Sequence, residues 1–364
     1  MSFSSKKMKL KEEEKGSNLK GFLERLVQGE NLTRKESEEC MDIVAKGRAD
    51  SNQVAALLVL LRAKGETPEE VEGIVRTMRA HMTQVSTSMT DSLLDIVGTG
   101  GDGAHTVNLS TTAAILAAAC GARVAKHGNR SVSSKAGSAD VLEVLGVPML
   151  DPEHIESCIK DAGIAFMFAP KFHPAMKHVV PVRRSLGVRT IFNILGPLLN
   201  PARASRLFLG VFSPHLLDIY GRVLMGLGNV EHALVVHCCG LDELAPIGVA
   251  EAVEIRKGHE MKRIRIDPIA MGIPRCTVAD LRGGSKEVNA RIIRGVLAGG
   301  DGATGPIADT IALNAGAGLY VAGLSSSIEE GYKKAQATLR AGDGLEKLSA
   351  WSRTACALEQ KGRS

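Results

Sequence analysis

The chain has 364 residues, enough for one large domain and a smaller one, or for two domains of medium size. Apolar residues make up 44% of it, charged residues 23% and aromatic residues only 3%, so the core is predicted to be aliphatic, and aromatic platforms for nucleic acid are not expected. The net charge is +5, and six Lys and three Glu in the first 20 residues supply +3 of it, so the remainder is too nearly balanced for general DNA binding.

Cysteine usage and hydropathy indicate the cellular compartment of the protein. The seven cysteines form no C-x-x-C pair, which predicts neither a zinc site nor a disulfide framework, and their odd number is typical of a reducing compartment. No apolar run approaches the ~18–20 residues of a membrane helix. Residues 1–18 are predicted to be a disordered tail, whose three consecutive Glu are unlike a transit peptide. We therefore expect a cytoplasmic protein without a membrane partner, or a plastid protein if a transit peptide had been removed.

The first region, residues 19–84, is predicted to be a compact helical domain. Thr33 followed by Glu36 has the pattern of a capping box at the start of a helix. Residues 52–63 are strongly apolar and predict a buried helix, and residues 67–70 have the cap, the Pro and the early acids of a further helix start. Together these patterns predict about four helices.

After a polar linker at residues 85–92, the pattern changes to strands that alternate with helices. The predicted strands are residues 93–97, 123–125, 164–168, 206–211, 233–237 and 251–255. The predicted helices include residues 111–120, 215–227, 285–298 and 306–322, and the glycine-rich residues 299–305 are predicted to be a surface loop. The alternation predicts an α/β fold in which a large domain, residues 91–350, has a central, mostly parallel sheet and follows the small helical domain.

The first predicted strand ends in a loop of four glycines at residues 98–103. Without Cβ atoms, such a loop allows backbone N–H groups to close on phosphate oxygens. The loop also matches G-x-G-x-x-G, but a nicotinamide site requires an acid about 20 residues later, and residues 104–139 contain no Asp or Glu. No Gly-Lys-Ser/Thr closes the loop as a Walker motif would. A ligand with several phosphates therefore fits better than a dinucleotide.

Two polar segments strengthen the phosphate interpretation. Residues 108–111, Asn-Leu-Ser-Thr, precede the Ala-rich helix, where hydroxyls and free N–H groups form an anion site. Residues 126–135 follow the second predicted strand and contain three cations, four Asn or Ser donors and no acid. A plain solvated loop would carry acids as well as bases, so this composition predicts a ligand loop.

These segments, with further motifs along the chain, resemble the anthranilate phosphoribosyltransferases of tryptophan biosynthesis. The resemblance covers roughly residues 19–350 and departs from the usual pattern at Ala136, at Ala245 and in residues 299–305. The motifs that carry it are Gly-Thr-Gly-Gly-Asp-Gly at 98–103, Asn-Leu-Ser-Thr at 108–111, Lys-His-Gly-Asn-Arg-Ser-Val-Ser-Ser at 126–134, Gly-Ser-Ala-Asp at 137–140, Arg-Arg-Ser-Leu-Gly-Val-Arg-Thr at 183–190, Asn-Ile-Leu-Gly-Pro-Leu-Leu-Asn-Pro at 193–201, Gly-Leu-Asp-Glu at 240–243 and Leu-Arg-Gly-Gly at 281–284.

The resemblance implies a fold of the nucleoside phosphorylase/phosphoribosyltransferase type, usually in a homodimer. It implies that the phosphoribosyl group of phosphoribosyl pyrophosphate (PRPP) moves to the amine of anthranilate with Mg²⁺ as cofactor. The residues implied to bind PRPP are Gly98, Gly101, Asp102, Thr106, Asn108, Leu109, Ser110, Thr111, Lys126, His127, Gly128, Asn129, Arg130, Ser131, Val132, Ser133, Ser134 and Ser138. Those implied to contact anthranilate are Gly98, Asn129 and Arg184, and those implied to bind Mg²⁺ are Ser110, Asp242 and Glu243. His127 could accept the amine proton, or it could serve only in positioning.

Three alternatives stay open at this point. A pyrimidine nucleoside phosphorylase has a related fold and needs no metal, but its glycine loop normally reads Lys-x-Ser-Thr-Gly-Gly-Val-Gly-Asp, whereas no Lys-x-Ser precedes Gly98 and Thr99 here. A phosphoribosyltransferase of the same fold could use another aromatic or a nucleobase as acceptor. A non-catalytic nucleic-acid-binding relative is disfavoured by the charge balance and the acidic pair, and absence of salt-dependent DNA affinity would eliminate it.

Overall fold

The computed structural model describes residues 18–131 and 135–362, so most of the predicted tail, residues 1–17, lies outside the described residues. The described chain divides into two compact units, each of which is described by itself. The first unit contains the residues up to Met82 together with His173–Leu195, and the second contains Thr83–Phe172 and the residues from Gly196 onward.

The first unit is helical, as the sequence predicts. The capping box is present, because the Thr33 hydroxyl accepts the N–H of Glu36 at 3.3 Å and the Glu36 carboxylate accepts the N–H of Thr33 at 2.8 Å. Thr67 and Glu70 form an equivalent box at the next predicted helix start. The helices of this unit are α1 (Lys20–Val27), α2 (Arg34–Ala45), α3 (Ser51–Lys64), α4 (Pro68–Ala80) and, from later in the chain, α9 (Val180–Leu186).

The segment His173–Leu195 differs from the predicted domain boundaries, which place it inside residues 91–350. It belongs to the helical unit because α9 packs against α3 and because the imidazole of His178 lies directly on Gly47. A Cβ at Gly47 would lie 2.7 Å from His178 Nδ1. A helical pattern in the sequence does not reveal which unit the helix joins, so this excursion of the chain was not predictable from it.

A buried ion pair stabilises the helical unit. The carboxylate of Glu70 is fully buried and accepts hydrogen bonds from the N–H groups of Leu32 and Thr67, both at 2.9 Å. It also accepts a bond from Lys64 Nζ at 2.9 Å. The carboxylate therefore neutralises one enclosed cation and satisfies two backbone donors at the same time.

Glu70→Ala is expected to lower the free energy of unfolding by about 3–5 kcal/mol, because it leaves the Lys64 ammonium without its counter-charge and two backbone donors without their acceptor. Urea denaturation followed by circular dichroism measures this loss. Glu329→Ala is the matched control, since it breaks an exposed pair with Lys333 and is expected to cost about 1 kcal/mol or less. Equal losses in the two variants would show that the Glu70 pair contributes no more than a surface pair.

The second unit is built on a sheet whose strands, among the described residues, follow the order β3-β2-β1-β4-β5-β6-β7. Strands β1 to β5 are parallel, whereas β6 and β7 are antiparallel to their neighbours, so the predicted mostly parallel sheet is confirmed. The strands are β1 (Leu93–Gly98), β2 (Arg123–Gly128), β3 (Ile164–Phe168), β4 (Arg206–Gly210), β5 (His232–His237), β6 (Ala250–Arg256) and β7 (Lys262–Ile266).

Helices cover this sheet. The two largely buried helices, α12 (Pro306–Val321) and the Ala-rich helix α5 (Leu109–Ala119), pack against each other. The others are α6 (Ser138–Val144), α7 (Ile155–Ala162), α8 (Ala169–Phe172), α10 (Leu216–Leu227), α11 (Lys286–Leu297), α13 (Ile328–Ala341) and α14 (Asp343–Lys361). The predicted surface loop at 299–305 contains a short 3₁₀ turn, Gly300–Ala303. Within the described ranges, no helix is both long and apolar enough to cross a membrane.

Two strands differ from their predictions. The second strand continues to Gly128, three residues past the predicted end at 125, because it pairs with β3 as far as the partners Gly128 and Phe168. Lys126 and His127 therefore belong to the sheet and not to the loop that the sequence predicts from residue 126. Strand β7 was not predicted, since its Lys and Arg residues are typical of an exposed edge strand and hide its apolar pattern.

Candidate active site

The candidate site lies in the second unit, at the edge where the parallel strands end. Strand β1 ends at Gly98 and is followed by the glycine loop, and β5 ends at His237. After β5 the chain makes a tight turn in which Cys238 and Leu241 exchange backbone hydrogen bonds of 3.0 and 2.8 Å. Asp242 follows this turn directly, so the acidic pair returns to the carboxyl edge of the sheet, where ligands bind in α/β folds.

The glycine loop holds the side chain of Asp242. Its carboxylate accepts a hydrogen bond from the N–H of Gly100 at 2.5 Å and one from the hydroxyl of Thr99 at 3.3 Å. Gly100 has a positive φ of 68°, a backbone conformation that favours glycine and turns its N–H toward the acid. The loop that was predicted to cradle phosphate thus also binds the first of the two acids.

Two glycines on neighbouring strands leave the space that Asp242 occupies. Gly98 on β1 and Gly210 on β4 are register partners. A Cβ at Gly98 would lie 2.9 Å from the carboxyl carbon of Asp242, and a Cβ at Gly210 would overlap its backbone carbonyl group. Gly210 was not singled out from the sequence, although glycine near the end of a strand is a known sign of close backbone approach.

The second acid, Glu243, is bound at the start of α5. Its Oε1 accepts the N–H of Ser110 at 3.1 Å, where the positive end of the helix favours a negative charge. Burial raises the pKa of Asp242 to about 7, with repulsion from Asp102 adding to the effect. Burial likewise raises the pKa of Glu243 to about 8, with repulsion from Asp242 as the next cause. For Glu243, burial and repulsion between the acids therefore outweigh the attraction of the Lys126 ammonium, which by itself would lower the pKa.

This donor set is suited to a hard divalent cation. Two carboxylates and the nearby Ser110 hydroxyl offer oxygen ligands, the kind that Mg²⁺ prefers, and a cation would offset the repulsion between the acids. In the described part of the chain, no three His, Cys, Asp or Glu side chains are grouped closely enough to hold a metal by themselves. A cation at the acidic pair would therefore take further oxygens from a ligand or water.

Lys126 on β2 is the buried cation near this acidic pair. Its side chain is 1% exposed, and its Nζ donates to the carbonyl of Ile96 at 2.5 Å and to the Ser110 hydroxyl at 3.4 Å. Burial lowers the pKa of Lys126, while the negative charges of Asp95 and Glu243 oppose that effect. The position indicates an internal counter-charge to the surrounding carboxylates more than a cation of an open loop.

A buried polar network joins β1 and β2. One carboxylate oxygen of Asp95 accepts the N–H of His127 at 3.2 Å, and the other accepts the side-chain amide of Asn200 at 2.7 Å. Burial raises the pKa of Asp95 to about 6. The ring Nδ1 of His127 lies 3.1 Å from the carbonyl of Gly196. This network fixes His127 at the end of β2, and it includes Asn200, which lies in the motif at residues 193–201 but was given no role from the sequence.

The loop after β2 is tied to acids that follow it. Arg130 forms ion pairs with Asp140 at 2.8 Å and Glu143 at 2.6 Å. The Asp140 carboxylate also accepts the N–H groups of Ser131 at 3.2 Å and Gly137 at 2.9 Å. The acid-free stretch in the sequence thus ends just before the residues that balance Arg130. The predicted residues Val132, Ser133 and Ser134 lie outside the described residues.

Two asparagines connect this loop to the rest of the unit. Asn108 donates to the carbonyl of Ala136 at 3.1 Å and accepts the side-chain amide of Asn289 at 2.9 Å. Asn289 in turn accepts the N–H of Gly284 at 2.7 Å, within the Leu-Arg-Gly-Gly motif. The side chain of Asn108 is thereby engaged on both sides, and Asn289 was not identified from the sequence because a single polar residue in an amphipathic helix carries no special signal.

The described contacts bring most of the predicted residues to one part of the second unit. Asp102 caps the N–H of Ala104 at 3.0 Å, and the hydroxyl of Thr111 donates to that of Ser138 at 2.9 Å. Arg184 belongs to the first unit, where it is exposed on α9. The predicted residues placed near the strand ends of the second unit are Gly98, Gly101, Asp102, Thr106, Asn108, Leu109, Ser110, Thr111, Lys126, His127, Gly128, Asn129, Arg130, Ser131, Ser138, Asp242 and Glu243.

The same two-part organisation is found in a known class of enzymes. Residues 20–82 match the helical bundle domain of the glycosyl transferase family, and residues 90–345 match its a/b domain. The matches cover both units of the chain and define it as a glycosyl transferase with a helical bundle domain and an α/β domain.

Individual relatives narrow the class. Anthranilate phosphoribosyltransferase of Thermomicrobium roseum is 46% identical over 330 residues, 90% of this chain and 94% of the relative. The crystal structure of anthranilate phosphoribosyltransferase from Thermus thermophilus has a TM-score of 0.84 at 44% identity and covers 92% of this chain and 99% of that chain. The structure of the Saccharomyces cerevisiae enzyme in complex with PRPP and Mg has a TM-score of 0.84, and the structure of its complex with 4-fluoroanthranilate has a TM-score of 0.83. Both are 27% identical in sequence and cover 93% of this chain and 98% of the yeast chain. The chain belongs to the anthranilate phosphoribosyltransferase family.

Proposed function

We propose that this chain transfers the phosphoribosyl group of PRPP to the amine of anthranilate. The products are N-(5-phosphoribosyl)anthranilate and pyrophosphate, in the second step of tryptophan synthesis from chorismate. The observation that carries the proposal is the enclosed pair Asp242 and Glu243, held between the glycine loop and the start of α5 in a chain of this family. The yeast relative binds PRPP with Mg in one structure and 4-fluoroanthranilate in another, which supports the two substrates.

The proposed PRPP site combines the glycine loop, the start of α5 and the loop after β2. Backbone N–H groups and hydroxyls in these segments are the donors that bind phosphate oxygens without requiring a large net charge. Asp242, Glu243 and the Ser110 hydroxyl are proposed to hold Mg²⁺. When bound, Mg²⁺ would neutralise negative charge on the diphosphate and so favour its departure.

The reaction breaks the bond from the anomeric carbon of the ribose to pyrophosphate and forms a bond from that carbon to the amine nitrogen. Positive charge develops on the ribose and negative charge on the leaving group, so fixed donors around the diphosphate stabilise the transition state. The aromatic amine is neutral at pH 7 and attacks without prior removal of a proton. Positioning of the two substrates therefore accounts for much of the remaining rate enhancement. We propose that His127 or solvent takes the proton that the amine nitrogen then loses.

A fluorescence assay of anthranilate consumption tests the proposal directly. Anthranilate is expected to disappear only when PRPP and Mg²⁺ are both present, with one pyrophosphate released for each anthranilate consumed. Phosphorolysis of thymidine is assayed in parallel, because the nucleoside phosphorylase alternative predicts that activity instead. Absence of anthranilate consumption with intact, folded protein would refute the proposed reaction. The homodimer that the family implies stays a prediction, which light scattering of the purified chain would test.

Arg184→Ala is expected to raise KM for anthranilate about 10–100-fold and KM for PRPP far less, because a charge-assisted bond to the ring carboxylate contributes ~1.5–3 kcal/mol. Arg184 is exposed on α9, whereas its neighbour Arg183 packs over the ring of Phe192 at 5.7 Å. Arg184→Lys keeps the charge without the two-pronged geometry and is expected to recover only part of the affinity. Lys177→Ala, an exposed cation of the same unit, is the control. An equal rise in both KM values would remove Arg184 from the anthranilate site.

A further inference from the structure

We infer that Asn314 on α12 is a positioning residue for the acidic pair: its side-chain amide fixes the backbone next to Asp242 and Glu243, so that both carboxylates present themselves to PRPP and Mg²⁺. The inference rests on the proposed function, since it assigns the acids their role there. Asn314 lies outside every motif identified in the sequence, and its side chain forms hydrogen bonds with Leu244, the residue that follows Glu243.

The side-chain amide of Asn314 forms three hydrogen bonds. The Asn314 Oδ1 accepts the N–H of Leu244 at 3.0 Å, and its Nδ2 donates to the carbonyl of Leu244 at 2.7 Å. The same Nδ2 donates to the carbonyl of Thr310, one turn earlier in α12, at 2.7 Å. Two carbonyls require the amino group and one N–H requires the oxygen, so an amide satisfies all three groups and a carboxylate of the same shape does not.

The two bonds to Leu244 fix the backbone immediately after Asp242 and Glu243. The turn closed by Cys238 and Leu241 fixes the chain before the two acids. Leu244 follows the acids and belongs to no helix or strand, so regular secondary structure provides no partner for its N–H and carbonyl. Asn314 takes the place of a strand partner there. Asn314 and the side chain of Leu244 are both 0% exposed, so the backbone of the acidic pair is anchored in the core on one side while its carboxylates reach the glycine loop and α5 on the other.

The surroundings of Asn314 argue against a role in packing alone. Helix α12 is buried along most of its length and consists largely of Ala, Gly, Leu and Ile. A leucine has the same branched shape and would bury more apolar surface, whereas an amide requires three matched partners to avoid a desolvation cost. All three partners are present, and two of them belong to the residue that follows Glu243.

The test separates positioning from stability with two kinds of variant. Asn314→Ala removes all three bonds, and Asn314→Asp keeps the acceptor for the Leu244 N–H but places negative charge against two carbonyls. Tyr332→Phe is the matched control, because the Tyr332 hydroxyl donates to the Asp309 carboxylate at 3.0 Å between α13 and the first turn of α12, away from the acids. Binding of PRPP in the presence of Mg²⁺ is measured by calorimetry, and KM for each substrate by steady-state kinetics.

Both Asn314 variants are expected to weaken PRPP binding about tenfold or more and to change KM for anthranilate less than about twofold, because the displaced group is the carboxylate pair. Tyr332→Phe is expected to lose less thermal stability than Asn314→Ala, because it removes a single donated bond, and to retain PRPP binding. Unchanged PRPP affinity in folded Asn314 variants, or failure of both variants to fold, would overturn the positioning role and make Asn314 a structural residue. Absence of Mg²⁺-dependent PRPP binding in the wild type would instead refute the proposed function on which the inference rests.

Discussion

Replacing Asp242 with Asn and Glu243 with Gln in one chain is expected to lower kcat/KM by about 10³-fold or more, since the variant loses both carboxylates proposed to hold the cation at the leaving group. The amides keep the size of the acids and can still accept the N–H bonds of Gly100 and Ser110. Steady-state rates over a range of Mg²⁺ concentrations measure the effect. Unchanged turnover at low Mg²⁺ would remove the pair from the site.

The same variant is expected to be at least as stable as the wild type when Mg²⁺ is chelated, because burial and mutual repulsion of the two acids oppose folding and neutral amides carry no such penalty. Thermal unfolding in the presence of a chelator checks this. Glu254→Gln is the matched control with the opposite expectation. Glu254 is a buried acid that accepts bonds from Tyr320 at 2.7 Å and Arg256 at 3.0 Å, so its loss should reduce stability while the Mg²⁺ dependence is retained.

The parts of the fold that the sequence could predict are those in which local pattern and burial agree. The strands β1 to β6 contain short apolar or alternating segments, and all six were placed within a few residues of their observed bounds. The edge strand β7 was missed because its exposure lets charged residues replace the apolar ones. The excursion of His173–Leu195 into the helical unit depends on tertiary packing, such as that of His178 on Gly47, which no local pattern encodes.

The candidate site shows the same division. Sequence patterns identified the glycine loop and the start of α5, because each is a run of polar or glycine residues where an apolar pattern breaks, whereas the acidic pair was implied only by the family resemblance. The environment of each side chain was not predictable: Lys126 looked like a loop cation but lies buried in β2, and the charge of Arg130 is balanced by acids just outside the acid-free stretch. Such pairings depend on how strands and helices meet, as do the supporting roles of Asn289 and Asn314.

Gly210 illustrates this dependence most directly. It lies near the end of β4 beside Gly98, and it contributes no side chain to the site. Gly210 matters because it has no Cβ: the backbone of Asp242 packs directly against it, and a Cβ would overlap the carbonyl group of Asp242. Backbone atoms cannot rotate away as the end of a flexible side chain can, so a methyl group at this position must displace either the strand or the acidic pair.

Gly210→Ala is therefore expected to lower kcat/KM about 100-fold, since a shift of about 1 Å in a catalytic group has effects of that size, and to lower stability by about 1–3 kcal/mol through overpacking. Gly295→Ala in α11 is the matched control, because a Cβ there meets no atom within 4 Å and alanine in a helix is expected to add about 0.4–1 kcal/mol of stability. Kinetics and thermal unfolding of the two variants provide the comparison. If Gly210→Ala retained full activity, the seating of Asp242 on the β4 backbone would not be a requirement of the site, and the acidic pair would have to tolerate displacement by the width of a methyl group.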